Sequence, residues 1–246
     1  MAINVTTSDN HYTLQGWTRK QPFYWLMGMV FVVILLVGFG PTYYLRPLSE
    51  QPSLTPTLHL HGLVFTAWTI LYFAQTTLIR AQRQQLHRRL GIVGVLLLVA
   101  MLWSGYRVAV ERIAEGRPVP LGEPATFLAF QFGLLMALAA LVASAIYFRH
   151  QAQLHKRLML MATLCMLVPA IGRISRQLFV ELNPAFVTSI LVILLAVGLV
   201  RDRIAEGRVH LSYLWGGLAI VVFPQFMRLV VGPTELWRGV TTWLIS

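Results

Sequence analysis

Three histidines occupy matching places in the sequence and could provide ligands for a metal or a haem. His87 lies in Gln-Leu-His-Arg-Arg-Leu, and His155 lies in Gln-Leu-His-Lys-Arg-Leu, 68 residues later. A shorter copy, Arg-Val-His-Leu, places His210 at the same point. Neutral imidazole is the most common metal ligand in proteins and also an axial ligand of haem iron. If the three rings converge, they predict a site for a transition metal (copper, iron or zinc) or for haem b.

The basic neighbours of these histidines support a second interpretation. Each histidine is close to arginine or lysine, and basic residues at a membrane surface bind lipid headgroups. Nearby cations also disfavour a bound cation unless the ligand is anionic overall, as haem is through its propionates. From the residue types alone, both interpretations stay open.

Another two histidines, His59 and His61, begin a different apolar segment. Residues two apart on a helix are separated by about 200°, so the two rings cannot share a face. Gly62 allows the close approach of a neighbouring helix or a flat ligand. We expect one ring to point into the protein and to contribute to an outer metal or haem site. The alternative is a pair of interfacial polar side chains.

An arginine follows each repeated histidine by 18 to 20 residues: Arg107, Arg173 and Arg228. A charge within a spanning segment costs about 2.5–3.5 kcal/mol on insertion scales, so each must reach the interface, pair or bind an anion. Glu111 can pair with Arg107, whereas the other two lack an acid within a turn. Pro169 and Pro224 predict kinks four residues before them. The arginines therefore predict binding of a lipid phosphate, a haem propionate or a small carboxylate.

The elements that carry these residues are apolar helices. The 246 residues are 57% hydrophobic and only 12% charged, whereas soluble domains carry about 25% charged residues. A spanning helix needs roughly 20 mainly apolar residues. Seven segments qualify, of which the sixth is the shortest: 23–45, 58–79, 90–110, 125–148, 158–174, 186–200 and 211–231. Helices satisfy the backbone in lipid, so we predict an all-α polytopic transmembrane bundle of about seven helices.

The basic residues also predict the orientation. The basic residues before the first segment and in the second, fourth and sixth connections fall on one side of a seven-span protein. The other side carries fewer Lys and Arg, so the positive-inside rule makes the first side cytoplasmic. This arrangement gives a cytoplasmic N-terminal tail (1–22), a transmembrane domain (23–232) and a C-terminal tail (233–246) in a bacterial inner (plasma) membrane. After an extra first helix, the repeats predict three helical hairpins whose histidine-bearing turns share the cytoplasmic face.

Several function classes have no support in the sequence. The net charge of +11 lies in short loops, which does not favour a nucleic-acid partner. There is no Gly-rich phosphate loop and no catalytic triad, so we assign no catalytic residue and leave open whether the protein is an enzyme. The sequence Arg-Ile-Ala-Glu-Gly-Arg occurs at 112–117 and at 203–208. Its glycine suits a left-handed helix end.

At Leu-His-Arg-Arg-Leu-Gly and Leu-His-Lys-Arg-Leu-Met, the chain resembles poorly characterised bacterial multi-pass inner-membrane proteins with histidines at helix-hairpin turns. The sequence His-Lys-Arg-Leu-Met before an apolar helix is similar to small membrane proteins implicated in assembling haem-containing oxidases. The resemblance covers roughly the second to fifth helices and implies haem or copper handling, with His87 and His155 as the matching positions. The chain differs from the oxidase-assembly proteins in its length and in its third hairpin.

Together these patterns predict a membrane protein that binds haem or a transition metal, for electron transfer or respiratory-oxidase assembly. Its partners would then be membrane lipids and a respiratory membrane complex. The alternative is a cofactor-free scaffold or permease that binds lipid headgroups or an anionic solute. A third hypothesis is a membrane enzyme that acts on a lipid-like substrate through the outer histidines and arginines.

Overall fold

The computed structural model describes residues 22–48 and 52–245, and all regular elements in these two ranges are helical. Residues 1–21 of the predicted N-terminal tail lie outside the described part of the chain. The described helices, in chain order, are α1 (Phe23–Tyr44), α2 (Pro56–Arg80), α3 (Gln84–Ala114), α4 (Pro124–Tyr147), α5 (Ala152–Met166), α6 (Val168–Phe179), α7 (Pro184–Glu206), α8 (Leu211–Val231) and α9 (Glu235–Ile245).

The polytopic helical bundle predicted from the sequence is confirmed. Helices α1–α4, α7 and α8 are each long and apolar enough to cross a membrane. Helices α5 and α6 together form a broken seventh span, bent by 41°. The predicted sixth segment, 186–200, is part of the 23-residue helix α7, which is long enough to span. Composition missed its end because polar residues complete the last turns.

Prolines and helix caps explain where several helices begin and bend. Helices α2 and α7 start with proline, and Thr55 and Asn183 cap them by accepting backbone N–H groups. The break between α5 and α6 directly precedes Pro169, and α8 has π-helical turns on both sides of the segment that contains Pro224. Proline lacks an N–H and crowds the preceding turn, so the predicted distortions occur at both prolines.

Helix α5 lies at the centre of the bundle. Its residues Leu160 to Met166 are all buried, and they join the main apolar core with side chains from α1, α2, α4, α7 and α8. Trp68 of α2 donates its indole N–H to Thr163 Oγ1 at 3.3 Å. Because other helices surround α5, both the break that follows it and the residues that precede it influence how the interior of the protein is packed.

One end of the bundle, the hairpin face, carries the α2–α3 turn, the α4–α5 turn and the α7–α8 turn. The rings of His87 and His155 are 6.2 Å apart here, which joins the first two turns. An ion pair between Arg157 and Asp202 joins the second turn to the third. Lys156 lies over the Tyr24 ring at the start of α1. The prediction that the three turns share a face agrees with these contacts.

The two Arg-Ile-Ala-Glu-Gly-Arg copies end helices at different faces. Gly207 follows α7 at the hairpin face, and Gly116 follows α3 at the other end of the bundle, the opposite face. Gly116 and Gly207 have φ angles of 64° and 69°, the left-handed conformation expected at a helix end.

The predicted C-terminal tail, 233–246, contains α9, which lies at the opposite face. Trp237 of α9 donates to the carbonyl of Ala125 at 2.9 Å, which holds α9 against α4.

Candidate functional site

A cavity of about 210 Å³ opens in the half of the bundle next to the opposite face. Its lining is mainly apolar and reaches Leu138, Cys165 and Ile220 in the interior. The polar side chains that line it are His61, Arg112, Gln131, Arg173, Arg176, Thr188 and Gln225. Cavities with apolar walls and a few converging polar groups are the usual form of a ligand site.

Three arginines of this lining come together: Arg112 at the end of α3, and Arg173 and Arg176 on α6. All three side chains line the same cavity. Residues three apart on a helix are neighbours, so α6 presents its two arginines side by side. We call these three residues the arginine trio.

Two members of the arginine trio have carbonyl or aromatic partners. Arg112 donates from Nε and Nη2 to the carbonyl of Pro118, with Nε at 2.9 Å. Arg173 donates to the carbonyl of Pro169 at 3.2 Å and lies 4.2 Å from the centre of the Phe39 ring. Within the described ranges, none of the three forms an ion pair with a carboxylate. The site therefore carries an excess of positive charge beside an apolar cavity.

The two outer histidines face different directions, in agreement with their spacing. His61 lines the cavity, where its Nδ1 lies 3.4 Å from Ser104 Oγ and its ring centre lies 4.2 Å from that of Phe65. His59 is exposed and lies beside Tyr43. The close approach predicted at Gly62 is made by the Tyr43 ring, which lies where a Cβ would be.

The other predicted arginines are outside the cavity. Arg107 pairs with Glu111 at 2.7 Å, as the spacing predicted, and its side chain is half exposed. Arg228 donates to Gln225 Oε1 at 2.9 Å, and Gln225 in turn lines the cavity. Of the five residues predicted for an outer cofactor site, the structure thus brings His61 and Arg173 together, with Arg228 one side chain away.

At the hairpin face, the structure brings two of the three repeated histidines together. The rings of His87 and His155 meet edge to face. His155 Nδ1 lies 2.8 Å from the carbonyl oxygen of Ala145, so this nitrogen donates its N–H to that oxygen. His87 Nδ1 is buried and has no hydrogen-bond partner among the residues that the structure describes. We call these two residues the histidine pair.

His210 instead caps helix α8. Its Nδ1 accepts the backbone N–H of Ser212, which requires a neutral ring. Burial and the nearby charge of Arg157 lower the pKa of His210 below its ordinary value, so the ring is neutral near pH 7. In residues 22–48 and 52–245, three or more His, Cys, Asp or Glu side chains do not meet in a group that could hold a metal.

Sequence reasoning missed a charge cluster on the hairpin face. Arg157 and Asp202 are fully buried and their side chains meet at 2.6 Å. Glu206 accepts from Arg157 at 2.7 Å and from Arg201 at 2.9 Å, and Arg201 also pairs with Asp202. The four-residue spacing of Asp202 and Glu206 puts both acids on one side of α7. The spacing of these two acids, together with the basic residues of the α4–α5 turn, is the feature of the sequence that could have predicted the cluster.

The remaining polar lining of the cavity was also only partly visible in the sequence. Arg112 belongs to the repeated Arg-Ile-Ala-Glu-Gly-Arg sequence, which looked like a helix-end signal, and Gln131 is a single polar residue in an apolar helix. Comparisons of the chain with models of protein families, with characterised proteins and with solved structures found no match.

Proposed function

We propose that this multi-pass membrane protein binds an amphiphilic anion in the cavity, with the charged head on the arginine trio and the apolar part inside. The observation that supports this proposal is the convergence of three guanidinium groups, without a carboxylate partner in the described ranges, at an apolar cavity. The proposal belongs to the class of cofactor-free membrane proteins that bind lipid headgroups or an anionic solute.

Electrostatics explains why an anion would be bound there. A charge inside a spanning segment is costly, and three like charges also repel one another. An oxyanion removes both costs, because guanidinium groups form charge-assisted, often bidentate, hydrogen bonds with phosphate or carboxylate oxygens. These interactions are stronger where water is largely excluded.

The apolar walls explain why the anion would carry a hydrocarbon part. Leu138, Cys165 and Ile220 are almost completely buried in the protein and still line the cavity. A small hydrophilic solute would leave these walls without a partner, whereas an apolar chain would gain about 25 cal/mol for each Å² that it removes from water. The head and the walls together favour an amphiphile.

Replacement of Arg173 by glutamine tests the proposal. We expect the affinity of the purified protein for an anionic lipid to fall by about tenfold or more, because a hydrogen bond with a charged group contributes about 1.5–3 kcal/mol. Native mass spectrometry of the protein with phosphatidic acid measures the affinity. Arg107→Gln is the matched control, since Arg107 lies at the same face but outside the cavity. Equal affinities of the two variants would contradict the proposal.

The positive-inside rule places the cavity relative to the cell. The basic turns lie at the hairpin face, so this face is proposed to be cytoplasmic, and the N-terminus with it. The cavity then lies in the outer half of a bacterial inner membrane. A reporter fused after Leu86 and another after Leu154 would both be cytoplasmic in this arrangement.

The histidine pair supports a second candidate function: binding of a transition metal or haem, for electron transfer or in the assembly of a respiratory oxidase. The hydrogen bond from His155 Nδ1 to a backbone carbonyl fixes the tautomer and orients Nε2, which is typical of metal-binding histidines. The 6.2 Å distance between ring centres would allow both rings to bind one ion with bond lengths of about 2 Å.

This candidate predicts a metal or a chromophore that depends on both members of the histidine pair. If it is correct, the purified protein contains about one equivalent of copper, zinc or iron, or shows a haem Soret band. His87→Ala and His155→Ala should each lower that content at least tenfold, because the loss of a metal ligand strongly reduces metal affinity. His150→Ala, an exposed histidine of the same turn, should not change it. A protein without metal and without a Soret band would rule the candidate out, and a loss with His210→Ala would extend the pair to the predicted trio.

A further inference from the structure

Helices α7 and α8 are in contact near the hairpin face. A Cβ added at Gly198 of α7 would lie 2.5 Å from the Tyr213 ring of α8, so the missing side chain of this glycine lets the ring pack against α7. Further along, Gly217 of α8 faces Leu195, whose Cδ1 would lie 3.6 Å from an added Cβ. The two helices therefore touch closely near the turn that joins them.

Towards the opposite face, the cavity lies between the same two helices. Val187 and Thr188 of α7 and Val221 and Gln225 of α8 line it, and all four are partly exposed. Val221 lies ten residues before the end of α8, about 15 Å along the axis, which is roughly the thickness of one leaflet. The cavity therefore reaches the side of the bundle at a depth, measured from the opposite face, of about the thickness of one leaflet.

The composition of the arginine trio restricts the head of the ligand. Three guanidinium groups offer more donors and more charge than one carboxylate can use. A phosphate monoester carries about −1.5 to −2 charges near pH 7 and has three acceptor oxygens. It can therefore accept from three arginines at the same time, which makes it the better match for the trio.

We propose that the ligand is a lipid phosphate monoester of the surrounding bilayer, and that it reaches the arginine trio laterally, between the outer halves of α7 and α8. This inference rests on the proposed function and adds the class of ligand and its route. An opening towards hydrocarbon lets the chain stay in an apolar medium while the head moves to the arginines, so the chain does not have to cross water.

A bulky side chain at the opening tests the route. The probe is phosphatidic acid with a photoactivatable acyl chain, in phosphatidylcholine nanodiscs that contain the full-length protein. Thr188→Trp should reduce light-dependent labelling of the protein at least fivefold, because the indole fills the opening. Ser189→Trp is the matched control, since Ser189 is the next residue and does not line the cavity. Val221→Trp with the exposed control Val222→Trp repeats the comparison on α8, in case one variant does not fold.

The outcomes separate the route, the ligand class and the proposed function. If Arg173→Gln labels as strongly as the unchanged protein, the proposed function itself is wrong. If Arg173→Gln loses labelling but both lining tryptophan variants keep it, the lateral route is wrong and the proposed function stands. Displacement of the probe by millimolar inorganic phosphate would identify a soluble anion as the ligand. Equal competition by a fatty acid would contradict the choice of a phosphate.

Discussion

Asp202→Ala is expected to lower the free energy of unfolding by about 3 kcal/mol, the lower end of the range for a broken buried ion pair. Arg157 is fully buried and would lose its 2.6 Å contact with Asp202, and Arg201 would lose a contact of 2.7 Å. The Arg157 side chain has no exposed surface in the folded protein, so its charge depends on these protein partners. Because Glu206 still accepts from Arg157 at 2.7 Å, the loss stays below the upper end of the range.

Denaturation of the detergent-solubilised protein measures this loss. Glu111→Ala is a suitable control, because Glu111 pairs with a half-exposed arginine at a similar distance and such pairs contribute about 0–1 kcal/mol. Asp202→Asn separates charge from hydrogen bonding, since the amide can still accept from Arg157. If Asp202→Ala and Glu111→Ala were equally stable, the buried position of the Arg157 pair would be refuted.

Gly38→Ala is expected to destabilise the protein by about 1–3 kcal/mol and to weaken ligand binding. An added Cβ at Gly38 would lie 2.5 Å from the carbonyl oxygen of Ala170, so α1 and α6 would have to move apart. The obstacle is backbone, which cannot move aside as a side chain could. Since Arg173 lies less than a turn after Ala170, this movement would also displace part of the arginine trio.

Gly91→Ala provides the comparison for Gly38→Ala, because a Cβ added at Gly91 would make an ordinary van der Waals contact of 3.9 Å with Gln75 Nε2. Both variants add the same methyl group to a glycine inside a spanning helix. We expect the midpoint of thermal unfolding in detergent to fall by several degrees for Gly38→Ala and not to fall for Gly91→Ala. A similar midpoint for both would show that α1 and α6 are not in contact at Gly38.

The helices could be predicted from the sequence because their cause is local. Each spanning segment is a run of apolar residues, and hydrocarbon forces such a run to satisfy its backbone within one helix. The repeated histidine sequences likewise placed three turns on one face, since an even number of spans separates them. Local patterns were less informative at helix ends, where α7 continues through Arg201 and Asp202 with charged residues that the bundle buries.

The arrangement of the sites depended on how the helices pack. Of three equivalent histidines, only His87 and His155 meet, because the third turn presents His210 as a helix cap. Arg173 was predicted as a site residue because it lies inside a predicted spanning segment, but its neighbour Arg112 comes from a segment 61 residues earlier. The cavity beside them is lined by residues from α5, from α6 beyond the bend and from α8, so it depends on how these helices pack.

Apolar length and charge placement act segment by segment, so the residues alone predict a membrane-spanning helical bundle and the helix ends that share a face. Which polar groups meet depends on how the helices pack. Arg107 and Arg173 occupy equivalent positions after their histidines in the sequence. Arg107 nevertheless pairs with an acid one turn away, whereas Arg173 lines a cavity. That difference is set by neighbouring helices distant in the chain.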